Sequence, residues 1–240
     1  MNEVLHGTAV ADPYRWLEDG ASPGVQAWVA RQHALARGYL DAFEGRGVLA
    51  QRLDRLFSLD SVSPPHRAGD RLFFRRHHAD REQAVLCWSE AGGGDEQVLI
   101  DPNALSAGGT VSLGAWVPSY DGRTLAFALH ENGADRATLH VMDVASGTLS
   151  PVDRIEDARY ASPSWTPEGD GFYYTWLPPD PSIPEDQRPG FAEVRFHAVG
   201  CDPSRDPVVR ERTGNPETFH SVWLSRDGHW LVASVSTFSG

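Results

Sequence analysis

One serine in this chain lies in the pattern that presents a nucleophile in many hydrolases. Gly20-Ala21-Ser22-Pro23-Gly24 matches the Gly-x-Ser-x-Gly turn, which exposes a serine hydroxyl between a strand and a helix. The residues before it do not form a strand pattern, and Pro23 has no backbone N–H to stabilise an oxyanion. Ser22 is instead predicted to cap a helix, because serine at the N-cap and proline in the first turn are typical of helix starts.

The ten histidines offer no alternative catalytic centre. His77-His78 follows two arginines at a predicted strand end, where a solvated turn is expected. His130, His140 and His197 fall in or beside predicted strands, where packing is the commoner role. No His-Glu-x-x-His or Cys-x-x-Cys spacing occurs, and Gly92-Gly93-Gly94 lacks the Lys-Ser/Thr of a phosphate loop. The sequence therefore predicts no metal, no cofactor and no catalytic residue in this chain.

Composition predicts a globular cytoplasmic protein of one or two domains over 240 residues. The formal net charge of −12 opposes binding to nucleic acid or to an anionic membrane. No apolar run has the length of a membrane span, and no basic-then-apolar pattern suggests secretion. Cys87 and Cys201 are too few for a disulfide framework, and Cys87 is predicted to be a buried strand residue.

Residues 1–58 differ in pattern from the rest of the chain. From Ser22 to Phe43, apolar residues recur at three- and four-residue steps and predict one face of a helix. Gly45 and Gly47 then interrupt, and Leu49 to Phe57 predicts a second, shorter helix. The shared apolar face needs a partner, which we expect to lie outside this chain.

Residues 59–240 carry short strands separated by turn residues, and one turn recurs. Ser119-Tyr120-Asp121-Gly122, Thr166-Pro167-Glu168-Gly169 and Ser225-Arg226-Asp227-Gly228 each place a hydroxyl residue, an acid and a glycine before an apolar strand. The hydroxyl or the acid can bond backbone N–H groups, while glycine takes the positive-φ position. The glycines lie 47 and 59 positions apart, the first interval being close to the length of a propeller blade.

These patterns predict a mainly β fold in which N-terminal helices precede an incomplete β-propeller of about three and a half blades. A β-sandwich is the alternative for the strand-rich part. The last apolar strand, from Val232 onward, lies close to the end of the sequence. We therefore expect the chain to be a fragment whose ring is open.

Several runs in order along the chain resemble the prolyl oligopeptidase family of serine peptidases. The first is the run Asp12-Pro13-Tyr14-Arg15-Trp16-Leu17-Glu18-Asp19, ahead of the first helix. The other runs are Asp60-Ser61-Val62-Ser63-Pro64, Asp101-Pro102-Asn103, Thr110-Val111-Ser112-Leu113-Gly114, Gly171-Phe172-Tyr173-Tyr174 and Glu211-Arg212-Thr213-Gly214-Asn215-Pro216. The resemblance covers nearly the whole chain.

The resemblance implies an endopeptidase that cleaves short proline-containing peptides after proline. Its Ser-Asp-His triad would lie in a C-terminal α/β-hydrolase domain that is absent from this chain and against which the helices would pack. The chain alone would be inactive and would gate and contact the substrate. Tyr173 and Phe219 match substrate-contacting positions of the family. Ser236 and Ser239 stand where the family often has Arg and Cys. This departure puts an arginine contact and a thiol-based sensitivity at these positions in doubt here.

Two other functions remain open at the level of sequence. Oligopeptidase B, which cuts after basic residues, has a similar Pro-Tyr-Arg-Trp-Leu run, but the runs at Asp60 and Glu211 favour the prolyl enzyme. A stand-alone propeller that acts as a binding module would need complete blades and would not need the N-terminal helices.

Overall fold

The computed structural model describes residues 2–106, 108–133, 136–180, 182–184 and 187–237, and the chain divides into two compact units, Met1–Ser58 and Leu59–Gly240. The first unit begins with a hairpin of β1 (Asn2–Leu5) and β2 (Thr8–Ala11), followed by a 3-10 turn at Arg15–Glu18. Its two helices are α1 (Pro23–Asp41) and α2 (Arg46–Phe57). No helix that the structure describes has the length and hydropathy needed to cross a bilayer.

Helix α1 begins where the sequence predicted. Ser22 has extended backbone angles, and its Oγ accepts a hydrogen bond from the Val25 backbone N–H at 3.3 Å, with Pro23 in the first turn. Gly47 was predicted to lie between the two helices, and that prediction was wrong. Helix α2 already begins at Arg46 and includes Gly47. Ser22 is therefore a helix cap and not an elbow nucleophile.

The helices leave many large apolar side chains in contact with solvent. Of the predicted stripe only Val25 is buried, whereas Val29, Leu40 and Phe43 are about half exposed or more. Helix α2 exposes further apolar side chains, at Val48, Leu49, Leu53, Leu56 and Phe57. A helix face of this kind normally packs against another element.

The described strands of the second unit form four antiparallel sheets, which we call blades 1 to 4. Blade 1 contains β3 (Ser61–Val62), β4 (His66–Ala68), β5 (Arg71–His77), β6 (Val85–Glu90) and β7 (Gln97–Ile100). Blade 2, which the short helix α3 (Pro102–Leu105) precedes, contains β8 (Val111–Pro118), β9 (Thr124–Glu131), β10 (Ala137–Asp143) and β11 (Thr148–Ile155). Blade 3 contains β12 (Ser164–Trp165), β13 (Gly171–Trp176), β14 (Glu193–Ala198) and β15 (Val208–Arg210), and blade 4 pairs β16 (Thr218–Leu224) with β17 (Leu231–Thr237).

Neighbouring blades share apolar cores because alternate residues of a strand point to opposite faces of its sheet. On β9, Leu125 and Phe127 pack with Phe73 and Leu86 of blade 1. Ala126 and Ala128, which alternate with them, pack with the large rings of blade 3. Burial of these side chains is the main force that stacks blade 1 on blade 2 and blade 2 on blade 3.

The recurrent turn joins the first two strands of blades 2, 3 and 4. Gly122, Gly169 and Gly228 all adopt positive φ, near +70°, as the sequence predicted. In blades 2 and 4 the serine and the aspartate bond each other and the backbone of their own turn. In blade 3 the prediction for Glu168 was wrong, since the Thr166 hydroxyl bonds the Asp170 carboxylate instead.

Candidate functional site

Tyr173, the first predicted substrate contact, lies outside the apolar core. Its neighbours on β13, Phe172 and Tyr174, are at most 1% exposed and pack toward blade 2. Tyr173 points to the opposite face of the sheet and is half-buried. The structure therefore separates Tyr173 from the rings that hold blade 3 together.

The orientation of Tyr173 depends on a second aromatic ring on the next strand. Phe196 of β14 pairs with Tyr173 in register, and the two ring centroids lie 5.0 Å apart at 53°. Gly171 makes room for this arrangement, because a Cβ at that position would lie 2.5 Å from Phe196 Cζ. Gly171 and Phe196 are supports of Tyr173 that the sequence analysis missed, although a glycine just before an aromatic strand is a usable signal of close approach.

Polar contacts cross the seam where blade 3 packs against blade 4. Thr175 Oγ1 donates to the His220 backbone carbonyl at 3.4 Å, and the Leu224 N–H donates to Ser164 Oγ at 2.8 Å. The His220 ring is 6% exposed, and neither of its nitrogens has a hydrogen-bond partner among the described residues. Burial lowers the pKa of His220, and nearby Arg210 lowers it further. This imidazole is therefore neutral near pH 7.

Phe219, the second predicted contact, lies at the other end of the same seam. It is half-buried near the start of β16, and its ring meets Tyr160 edge to face at 6.4 Å. Tyr173 pairs with Ser164, which bonds Leu224 at the far end of β16, roughly 17 Å along the strand from Phe219. The structure thus gives Tyr173 and Phe219 separate surroundings. Ser236 pairs with Phe219 across β16 and β17, and Ser239 lies outside the described residues.

A fully buried histidine, His197, lies between two buried aspartates. His197 Nε2 lies 2.9 Å from Asp153 Oδ1, and His197 Nδ1 lies 2.9 Å from Asp206 Oδ1. The Tyr174 hydroxyl donates to Asp206 at 2.8 Å, and the Gly200 N–H donates to Asp153. Since Asp153 belongs to β11 and His197 to β14, this cluster joins blade 2 to blade 3. We call it the His197 clamp.

The two aspartates around His197 favour the protonated form of its ring. Burial lowers the pKa of His197, but the hydrogen bonds and charges of Asp206 and Asp153 outweigh that effect and raise it overall. Burial and the charge of Asp206 raise the pKa of Tyr174, so its hydroxyl stays protonated. Both nitrogens of a fully buried His197 are engaged, so it cannot act as a general base for a serine.

The remaining residues with reactive side chains show no catalytic arrangement in the described ranges. Cys87 is buried in β6 as predicted, and burial raises the pKa of its thiol to about 12. His77 Nδ1 contacts the Leu59 carbonyl oxygen at 3.0 Å, and His140 stacks on Phe127. No group of three or more His, Cys, Asp or Glu among the described residues could hold a metal ion.

Comparison with known families gives one match over almost the whole chain. Residues 1–239 match the family profile described as the N-terminal β-propeller domain of prolyl oligopeptidase. Among curated proteins, a prolyl endopeptidase of Elizabethkingia miricola is 28% identical over 237 residues, and a dual function macrocyclase-peptidase, POPB, of Amanita bisporigera is 28% identical over 248 residues. These matches cover 98% and 94% of this chain but only 33% and 34% of the relatives, so the chain spans about a third of their length.

Solved structures give the same result at the level of the fold. A structure from a mechanistic study of two prolyl endopeptidases is 52% identical, with a TM-score of 0.94, over 99% of this chain and 35% of its own. Prolyl oligopeptidase B of Galerina marginata, bound to a 25-residue macrocyclization substrate, is 26% identical with a TM-score of 0.81 over 95% of this chain and 34% of its own. The mainly β fold with N-terminal helices and β-propeller blades, predicted from the sequence, is confirmed.

Proposed function

Because the chain belongs to the prolyl oligopeptidase family, we propose that it is the propeller part of a serine endopeptidase that cleaves short peptides after proline. The observation that carries this proposal is the match of the propeller profile to residues 1–239, in a chain that spans about a third of its relatives. The nucleophile, histidine and aspartate would lie in an α/β-hydrolase domain beyond these residues. There the histidine would act as base while the serine forms an acyl-enzyme.

In this proposal the chain selects and contacts the substrate and does no bond chemistry itself. Two observations support this role. Ser22 is committed to capping α1, and the fully buried His197 has both nitrogens bound by carboxylates. The blades would admit short peptides and exclude folded proteins, as the resemblance to the family implies.

Tyr173 is the residue that we propose touches the peptide upstream of the scissile proline. Its ring is outside the core, half-buried, and held by Phe196. A tyrosine in that state can bury apolar substrate area while its hydroxyl bonds a peptide carbonyl. Phe219 is proposed as a second, purely apolar contact, in view of its half-buried ring against Tyr160.

The exposed apolar face of α1 and α2 is proposed to dock on the hydrolase domain of the same protein. Val29, Leu40 and Phe43 on or beside α1, with Leu53 and Leu56 on α2, are between 44% and 62% exposed. Burial of such side chains contributes about 1.5–3 kcal/mol each when complete. We propose a cytoplasmic setting, with which the exposed free thiol of Cys201 is compatible.

The experiment that tests the proposal compares substrates of two lengths in the complete enzyme. Tyr173→Ala should lower kcat/KM for longer peptides about tenfold, which is the ~1.4 kcal/mol of one modest contact, and should spare dipeptide-like substrates. Tyr173→Phe separates the hydroxyl from the ring. The control is Phe172→Leu in the core, which should lower the melting temperature and reduce activity on both substrates equally. A Tyr173→Ala enzyme with an unchanged ratio between the two substrates would refute the assignment.

A further inference from the structure

A cavity of about 770 Å³ lies beside β4, the end of β8, β12 and the turn between β16 and β17. Its wall includes Val117, Pro118 and Pro163 among its apolar residues, and its basic residues are His66, Arg67 and Arg226. This volume is within the range of small-molecule sites. No carboxylate lines the cavity among the described residues, although the whole chain carries a formal net charge of −12.

Two acids in the turns that border this cavity are bonded within those turns. Asp121 accepts hydrogen bonds from the Ser119 hydroxyl at 2.7 Å and from the Arg123 N–H at 3.0 Å. Asp227 accepts in the same way from the Ser225 hydroxyl and the His229 N–H. Each carboxylate therefore accepts hydrogen bonds within its own turn, and neither side chain lines the cavity.

The two arginines keep donors available for a ligand. Arg67 Nε is anchored on the Gly69 carbonyl oxygen at 3.2 Å, and its ion pair with Asp70 is long, at 3.9 Å, and well exposed. Arg226 makes no ion pair within the part of the chain that the structure describes. A guanidinium presents its N–H groups as a planar fork that matches an oxyanion.

We propose that this cavity binds the free terminal carboxylate of a short peptide, with Arg67 and Arg226 as its cationic partners. The inference rests on the proposed function, because peptides are the ligands that such a propeller would meet. The apolar wall beside the arginines favours an apolar chain that ends in a carboxylate over a free phosphate, which would leave most of the volume unfilled. The site would thus favour peptides whose cut or natural C-terminus is unblocked.

Calorimetric titration of the 240-residue chain at low ionic strength tests the proposal with three probes. These are N-acetyl-Ala-Pro with a free carboxylate, the same dipeptide as its C-terminal amide, and inorganic phosphate. We expect the amide to bind about tenfold more weakly than the acid, and Arg67→Gln and Arg226→Gln each to weaken acid binding about fivefold. The matched control is Arg123→Gln, which removes an 82% exposed arginine from the same kind of turn and should change binding less than about twofold.

Equal binding of the acid and the amide would overturn the proposal, as would equal effects of the three arginine variants. Binding of phosphate alone, lost in Arg67→Gln and Arg226→Gln, would also overturn the peptide assignment, because the site would then hold a free anion. Circular dichroism of each variant shows that its blades are intact. If none of the probes binds, but the complete enzyme still cleaves peptides after proline, this site is refuted and the proposed function still stands.

Discussion

The stability of the second unit should fall as pH rises, because the His197 clamp is held together by a proton. The folded-state pKa of His197 is raised by Asp206 and Asp153, so the folded chain binds this proton more tightly than the unfolded chain does. Its contribution to stability is complete below the ordinary histidine pKa, about 6.5, and is lost as pH rises through the folded pKa. Over that window the slope is at most about 1.4 kcal/mol per pH unit.

The magnitude follows from the contacts that a substitution removes. His197→Gln at pH 6 takes the imidazolium away from two carboxylates whose side chains are 1% and 3% exposed. Hydrogen bonds to charged groups contribute roughly 1.5–3 kcal/mol each, and breaking one partner out of a buried pair costs about 3–5 kcal/mol. We therefore expect His197→Gln to destabilise the unit by about 3–5 kcal/mol at pH 6, and by less at higher pH.

Urea unfolding from pH 6 to 9, followed by tryptophan fluorescence, measures this effect in the 240-residue chain. The free energy of unfolding of His197→Gln is subtracted from that of the wild type at each pH. The difference isolates the contribution of His197, because the other groups titrate in both proteins. His229→Gln is the matched control, since His229 also faces an aspartate, Asp227, but is 76% exposed. Its effect should stay within about 0.5 kcal/mol. Parallel pH profiles for the wild type and His197→Gln would show that the clamp carries no proton-linked stability.

Four further predictions concern the 240-residue chain. It should not hydrolyse a Gly-Pro chromogenic substrate above a buffer control. Hydrolysis that is lost in Ser22→Ala would contradict this prediction. We expect Ser22→Ala only to remove the cap of α1, at a cost of about 1 kcal/mol. The exposed apolar side chains of α1 and α2 should make the chain self-associate and bind an apolar dye, and a dye-free monomer in sedimentation would argue against it. Gly122→Ala should destabilise the second unit by more than about 2 kcal/mol in urea unfolding, because the new Cβ would overlap the Ala68 carbonyl oxygen. Gly147 has a similar positive φ but lies in open space, so Gly147→Ala should cost only about 1–2 kcal/mol. His220→Leu should raise the thermal midpoint, since it replaces a buried imidazole whose nitrogens have no hydrogen-bond partner among the residues that the structure describes. A lowered midpoint would mean that the ring is hydrogen-bonded in solution.

The shortest strands could not be predicted from sequence, although longer ones could. Strands such as β10 and β14 have six or seven residues, so their apolar alternation is visible in the sequence. β3 and β12 have only two residues each, which is too short for any alternation to show. The turn at Gly69 was missed for a related reason, since it lacks the hydroxyl residue that marks the other turns, although its φ is also positive.

The sequence by itself determined the features that depend on a few adjacent residues. These are the helix cap at Ser22, the positive φ of the turn glycines, and the run that predicts the family. These depend on backbone sterics and on hydrogen bonds over two to five positions. Only the tertiary structure decided that Asp153, 44 positions away, meets His197, and that Phe196 rather than the core holds Tyr173. Such contacts form because packing one blade on the next brings distant residues together, and no local pattern in the chain records which ones will meet.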